Sequence, residues 1–295
     1  MADWTIQKLL NWITDYFTQK GVDSPRLSAE MLLGYVLNLK RIELYTNFDK
    51  PVDAADLARL REYVKRAAEH EPVAYLVGHT EFYSLEIDVS PAVLIPRPDT
   101  EVLVENAVGF LRQQGGRRFV CDLCTGSGCV AVAIAKNHPD CKIIATDVSS
   151  DALEIAAANV AKHGLEDRIE LRQGHFFEPL LPYLDKQRFD LIVVNPPYVS
   201  DSEYAGLDRN VRDYEPSSAL LAGQDGLDAY RQIIPQASEH LTDDGVLMLE
   251  IGYEQAEAVS RLLAETGDFS PPQVKKDTAS RDRVVIGLKK KQVCV

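Results

Sequence analysis

Cysteine is scarce in this chain of 295 residues and odd in number: Cys121, Cys124, Cys129, Cys141 and Cys294. Most of these lie in strand-like runs, where free thiols are commonly buried, so a disulfide framework is not expected. Cys121 and Cys124 stand at C-x-x-C spacing, but no second Cys or His pair stands at zinc-finger spacing and the two straddle a glycine turn, which leaves no metal expected. Long apolar runs are missing as well, and none approaches the length needed to cross a bilayer. The opening Met1-Ala2-Asp3-Trp4 leads into an amphipathic helix with Leu9, Leu10, Ile13 and Phe17 on one side. It lacks the basic start and continuous apolar centre of a signal peptide, so a cytoplasmic location with no membrane partner is the expectation. Positive charge is in deficit: 32 Lys and Arg face 45 Asp and Glu, a formal net charge of -13. That balance disfavours the long basic track on which nonspecific nucleic-acid binding relies. The basic stretches Arg59 to Arg66 and Lys289-Lys290-Lys291 read as solvated faces or a frayed end. No repeat or low-complexity segment occurs.

What is present is an ordinary 45% hydrophobic content, enough for one large domain or two. The most informative segment is Asn195-Pro196-Pro197-Tyr198, directly after the apolar run Phe189 to Val194. Proline locks its own φ and pushes the preceding residue toward extended conformations, so this is a stiff loop at a strand end. A carboxamide oxygen and free backbone carbonyls on such a loop form an acceptor cluster suited to a planar NH2 group. Upstream, Phe119 to Gly128 followed by Cys129 to Lys136 reads as strand, tight glycine turn and helix. Gly126 and Gly128 allow close backbone approach to a ligand. Asp147, ending the run Lys142 to Thr146 about 20 residues beyond the loop, stands where a carboxylate can receive ribose hydroxyls. A nucleoside-containing ligand is therefore predicted. The loop lacks the full G-x-G-x-x-G spacing and does not predict a dinucleotide.

An Asp122-x-x-Thr125-Gly126-x-Gly128 loop, an acidic residue after the second strand and Asn-Pro-Pro-Tyr after the fourth occur in order. Together with Ile95-Pro96-Arg97-Pro98-Asp99-Thr100-Glu101, Tyr214-Glu215-Pro216 and Gly223-Gln224-Asp225-Gly226-Leu227, they make the chain resemble the class I S-adenosylmethionine-dependent methyltransferases. Within these it is similar to the glutamine-amide methyltransferases of peptide chain release factors, nearly end to end. The resemblance implies an α/β, Rossmann-like domain with a mostly parallel seven-stranded sheet, preceded by a small helical bundle and a linking β-hairpin. It implies S-adenosylmethionine as methyl donor, S-adenosylhomocysteine as product and release factors as protein substrate. Asn195, Pro196, Pro197 and Tyr198 would contact the substrate glutamine, with Asn195, Pro196 and Tyr198 catalytic. Asp122, Cys124, Thr125, Gly126, Ser127, Gly128, Asp147, Val148 and Asn195 would hold the donor. Phe176 and Phe177 are candidates for packing on its adenine and equally for core. His175 stands where related enzymes often carry an acidic acceptor for the adenine amine, a task open only to an unprotonated imidazole nitrogen. Cys124 stands where relatives often have glycine.

Three segments are expected: residues 1–72 as a helical bundle, to which the resemblance gives a role in docking substrate, 73–98 as a β-hairpin linker and 99–291 as the methyltransferase domain. In the first, Leu27, Met31, Leu32 and Val36, and Leu57, Leu60, Tyr63, Val64 and Ala67, recur at helical spacing. Tyr75, Phe82, Tyr83, Leu85, Ile87, Val89, Val93 and Ile95 mark the hairpin. Asp99, Thr100 and Glu101 suit both helix capping and pocket lining. Beyond them strands and helices alternate, which implies ligands at the carboxyl ends of a parallel sheet. Phe269 and Arg283 to Leu288 are read as two closing strands. Three functions remain on the table: methylation of a release-factor glutamine, methylation of a ribosomal-protein glutamine or of an adenine amine in nucleic acid, and a noncatalytic binding module. Net charge favours a protein substrate over nucleic acid.

Overall fold

A computed structural model describes residues 4–116, 118–183 and 188–291; Met1 to Asp3 and Cys294 lie outside the described residues. The chain divides into two units, Met1–His79 with Asp208–Tyr214, and Thr80–Leu207 with Glu215–Val295.

The first unit is helical, with α1 (Ile6–Lys20), α2 (Pro25–Leu37), α3 (Arg41–Thr46), α4 (Ala54–Ala68) and α5 (Val73–Val77). Leu9, Leu10, Ile13 and Phe17 recur three or four residues apart on α1 and are all buried, whereas Trp12 between them is exposed. Thr5 caps the helix by accepting the Lys8 N–H, and Gly21 in a left-handed conformation (φ 67°) ends it. On α2 the buried face runs through Ala29, Leu32, Leu33 and Val36. Leu27, expected in the core, falls on the far side of that helix and is exposed. Leu60, Val64 and Ala67 of α4 complete the core. Val73–Val77, expected as part of the hairpin, is a short helix instead. Pro72 stands at its entry and Gly78 (φ 83°) at its exit, which makes these five residues a closed helical turn.

The hairpin itself is β1 (His79–Phe82) and β2 (Leu85–Asp88), a separate two-stranded sheet. The second unit then follows as α6 (Glu101–Gln113), β3 (Arg118–Leu123), α7 (Cys129–Asn137), β4 (Cys141–Asp147), α8 (Ser150–Lys162), β5 (Ile169–Gln173), β6 (Phe189–Val194) and α9 (Asp201–Tyr204). After α10 (Arg209–Arg212), which clusters with the first unit, come α11 (Asp228–His240), β7 (Leu241–Glu250), α12 (Ala256–Glu265), β8 (Gln273–Lys276) and β9 (Asp282–Leu288). The seven strands lie in the order β5-β4-β3-β6-β7-β9-β8. The first five pair in parallel, and β9 runs antiparallel to both β7 and β8. Burial on both faces explains why β6, and β7 from Val246 to Leu249, read as nearly unbroken apolar runs.

Two expectations about the closing strands are corrected. Phe269 makes only an isolated bridge to Lys289 and turns into the core, because Ser270-Pro271-Pro272 cannot continue a ladder. The first closing strand is therefore Gln273–Lys276. Lys289, expected to be solvated, is 5% exposed and donates its Nζ to the Leu241 carbonyl at 2.8 Å.

From β3 the chain moves outward to β4 and β5, and then returns to the other side of β3 as β6. That reversal puts a crevice at the carboxyl ends of β3 and β6, the position where open α/β sheets hold ligands.

Candidate active site

One cavity at that crevice is lined by the turn after β3, the carboxyl end of β4 and the loops after β5 and β6. Of the residues singled out from sequence, it brings together Asp122, Cys124, Thr125, Gly126, Ser127, Asp147, Val148, His175, Phe176, Asn195 and Pro197. Gly128, Phe177, Pro196 and Tyr198 do not line it. Segments distant in the chain join them, notably Arg97, Thr100, Pro216 and Ser218.

The turn after β3 is tied down on both sides. Thr125 donates its N–H to the Thr146 carbonyl at 2.9 Å and its hydroxyl to Asp122 Oδ2 at 2.7 Å. Gly126 donates its N–H to Asp147 Oδ2 at 2.9 Å, while Ser149 N–H donates to Asp147 Oδ1 at 3.0 Å. Each Asp147 oxygen keeps a lone pair for a further donor. A Cβ built on Gly126 (φ 55°) meets no protein atom within 4 Å, so this glycine faces open space at the cavity. Gly128 serves a different purpose. Its Cβ would sit 3.2 Å from Ala156 Cβ, so it lets α7 pack closely on α8. Cys124 holds a left-handed backbone (φ 59°), a conformation that favours glycine, and burial pushes its thiol well above the ordinary range. Burial also raises the Asp122 carboxyl to about 7, against the Thr125 hydrogen bond.

After β5, the left-handed backbone of Phe176 (φ 44°) sends consecutive side chains apart. Phe176 lines the cavity beside His175, with ring centroids 4.1 Å apart. Phe177 is 1% exposed and stacks on His240 at 4.2 Å, inside the core. The sequence offered both rings to the adenine; the turn leaves only one at the cavity.

Asn195 extends β6 into the cavity and donates Nδ2 to Thr100 Oγ1 at 3.3 Å. Pro196 is buried, and Tyr198 packs against the core cluster, where burial raises its phenol. The backbone of this loop is braced by Gln255. Its Nε2 donates to the carbonyls of Tyr198 at 2.9 Å and Gly226 at 3.2 Å, while its Oε1 accepts the Gly252 N–H at 3.0 Å. The segment Asp99-Thr100-Glu101 divides three ways. Asp99 pairs with Arg283 at 2.9 Å, Glu101 accepts the Tyr83 N–H at 2.8 Å, and Thr100 makes no side-chain cap on α6.

Three supporting contacts could not be read from the sequence, although Glu215 and Arg97 stand in motifs that carry the resemblance. Buried Glu215 accepts the Ile95 N–H at 3.1 Å and pairs with Arg97, joining the cavity wall across more than a hundred residues of chain. Fully buried Asn159 exchanges two hydrogen bonds with the Asp88 backbone and donates to the Ser127 carbonyl at 2.9 Å. Gln255 lies beyond β7, far from the loop it supports. Only covariation or a structure exposes partners so separated.

Residues 8–78 match the PrmC N-terminal domain and residues 99–209 the methyltransferase small domain. Over 284 residues the chain is 45% identical to the release factor glutamine methyltransferase of Geobacter sulfurreducens, covering 96% of each. Against the release factor glutamine methyltransferase of Rhodopirellula baltica it is 43% identical over 286 residues, 96% of this chain and 95% of the other. The solved hMettl16 catalytic domain, in complex with MAT2A 3'UTR hairpin 6, matches with a TM-score of 0.53 at 19% identity, covering 72% of this chain and 78% of its own, a likeness of fold.

Proposed function

The chain belongs to the release factor glutamine methyltransferase family, and we propose that it transfers a methyl group from S-adenosylmethionine to the side-chain amide nitrogen of the glutamine in a release factor's Gly-Gly-Gln motif. The observation that carries this reading is Asn195, at the end of β6, lining the same cavity as Gly126 and Asp147. An acceptor for an NH2 group and a site for a nucleoside thereby share one chamber. A cytoplasmic location and a release-factor partner belong to the same proposal.

The residues present fit the donor. Asp147 retains acceptor capacity for ribose hydroxyls, Gly126 opens the backbone to a ligand, and Val148 and Phe176 offer apolar surface for the base. When bound, S-adenosylmethionine supplies an electrophilic methyl carbon on a positively charged sulfur. The protein's task is set by the other reactant, because a carboxamide nitrogen has its lone pair delocalised into the carbonyl and is a poor nucleophile. The Asn195 Oδ1, at the cavity, accepts an amide hydrogen and aims the nitrogen, while Pro196 and Tyr198, which do not line the cavity, hold from behind the loop that carries it. Holding reactants in a near-attack arrangement contributes roughly 7 to 11 kcal/mol. Transfer to the amide nitrogen would leave a neutral thioether and release one amide proton to solvent, and exclusion of water by the cavity walls would favour that loss of charge on the donor.

Mass spectrometry of the Gly-Gly-Gln peptide, after a release factor is incubated with enzyme and donor, tests the assignment. One added methyl on the glutamine is the expected result. Methylation confined to a ribosomal protein or to an oligonucleotide adenine would overturn it in favour of those substrates.

A further inference from the structure

Asn195 follows β6, the middle strand of the sheet, and the residues that fit the donor lie to one side of it. In the order β5-β4-β3-β6-β7-β9-β8, the cavity takes the ends of β3, β4 and β5, and among the described residues none beyond Ala219 lines it. On the other side, Glu250 at the end of β7 pairs antiparallel with Val284, near the start of β9. The turn between β8 and β9 therefore stands at the same edge as Asn195, beside the loop that follows β7.

An exposed pair joins that turn to that loop. Tyr253, in the loop after β7, is 54% exposed, and the Arg281 guanidinium lies over its ring, 5.5 Å from the centroid. Arg281 makes no ion pair among the described residues, although the chain carries a net charge of -13. Both supports are braced. Asp277 Oδ1 accepts the N–H groups of Ala279 and Arg281, each at 2.9 Å, which closes the turn. Arg283, 6% exposed, pairs with Asp277 at 3.2 Å and Asp99 at 2.9 Å and donates to the Ile251 carbonyl at 3.4 Å. On the other flank of Tyr253, Gln255 accepts the Gly252 N–H and donates to the Tyr198 carbonyl of the Asn-Pro-Pro-Tyr loop. An exposed ring and an unpaired cation are thus mounted on the frame that also supports the site.

We propose that Tyr253 and Arg281 form a docking surface for the substrate polypeptide, gripping residues that flank the methylated glutamine. The inference rests on the glutamine-methylation reading and deepens it. With the donor in the β3 to β5 half of the edge, the chain that brings the glutamine reaches Asn195 across the β7 to β8 half. There Arg281 offers a planar fork of N–H donors to a carboxylate, and the Tyr253 ring offers an apolar face with a polar tip. The occupant is therefore a polypeptide with an acidic residue near the glutamine. Tyrosine and arginine are among the residue types that most often dominate the binding energy of protein contacts. A nucleic acid would also stack on the ring, but a net charge of -13 disfavours the phosphate contacts that such binding relies on.

The test uses full-length enzyme and release factor at saturating S-adenosylmethionine. Tyr253→Ala and Arg281→Ala are each expected to raise KM for the release factor roughly 10-fold, with kcat and donor Kd as in wild type. Arg281→Glu should raise KM further, and Arg281→Lys should restore part of the loss. Added salt should raise KM more steeply in wild type than in Arg281→Ala. A second measurement locates the contact. With photoreactive p-benzoylphenylalanine in place of Tyr253 and S-adenosylhomocysteine added, irradiation should crosslink the enzyme to the release-factor segment that carries the Gly-Gly-Gln motif. An unchanged KM in Arg281→Glu overturns the proposal, as do crosslinks confined to a distant part of the release factor. An oligonucleotide that binds wild type but not Arg281→Glu would assign the surface to nucleic acid instead. A wild-type enzyme that leaves release factors unmethylated would sink the substrate reading and this surface with it. Methylation with a KM insensitive to both positions would sink the surface alone.

Discussion

Gly126 donates its backbone N–H to Asp147 Oδ2 at 2.9 Å, which ties the turn after β3 to the carboxylate that ends β4. Asp147→Ala removes the acceptor for two backbone donors, Gly126 and Ser149, as well as the proposed ribose contacts. Hydrogen bonds to a charged group contribute about 1.5–3 kcal/mol each. Calorimetry should therefore find S-adenosylmethionine binding weakened by roughly 10- to 100-fold, with turnover partly restored at high donor concentration. An unchanged Kd would reassign the ribose contact.

Asn195→Ala separates the two ligands in the opposite sense. Turnover should collapse by roughly 100-fold or more, the scale associated with one preorganised polar group at a reacting centre. Donor affinity, measured in the same preparation, should weaken far less. Near-normal turnover would remove Asn195 from the mechanism.

Gly226 lies against the carbonyl of Tyr198, and a Cβ there would also sit 2.8 Å from Gln255 Nε2. Its left-handed backbone (φ 73°) adds conformational strain for any other residue. Gly226→Ala should displace the loop that holds Tyr198, lowering kcat while donor Kd holds. Stability should fall by about 1–3 kcal/mol. Gln255→Ala is expected to reproduce the kcat loss without the strain, and stopped-assay kinetics beside chemical denaturation distinguish the two.

The adjacent phenylalanines should split cleanly. Phe177→Ala opens a hole beside His240 and should cost roughly 3–5 kcal/mol of unfolding free energy. Phe176→Ala removes cavity lining and should weaken donor binding at little cost to stability. Equal effects of the two variants on donor Kd would contradict the placement of Phe177 in the core.

Asp122 gives the protein an inverted pH response at one site. Its folded pKa of about 7 lies above the ordinary value of 3.8, chiefly through burial. Between those values the folded protein keeps a proton that the unfolded chain has lost, so this group's contribution to stability falls as pH rises through that window. Asp122→Asn escapes the effect and keeps an oxygen for Thr125. Relative to wild type, the variant should gain on the order of 3 kcal/mol between pH 5 and pH 8, read from urea midpoints. A difference that stays flat with pH would show that Asp122 ionises freely.

The sheet, its motifs and the amphipathic face of α1 were legible because each is written in neighbouring residues. Leu9, Leu10, Ile13 and Phe17 declare their helix face by spacing, and Asn195-Pro196-Pro197 stiffens its own backbone. Leu27 misled because hydrophobicity indicates a preference for burial without saying which face of α2 meets neighbours. Phe269 and Lys289 misled for the same reason at the far end of the sheet, where Pro271-Pro272 and the β7 pairing decided their surroundings.

By itself the sequence determined what stands at three strand ends: a glycine turn after β3, a carboxylate at the end of β4 and a carboxamide after β6. It could do so because those groups sit beside the runs that fold them. Only tertiary structure decided that Thr100, Glu215 and Gln255 stand behind them, that Gly128 serves packing, and that Phe176 and Phe177 part company. Side-chain partnership across a sheet depends on which strands become neighbours in space, and chain order carries no local mark of that choice.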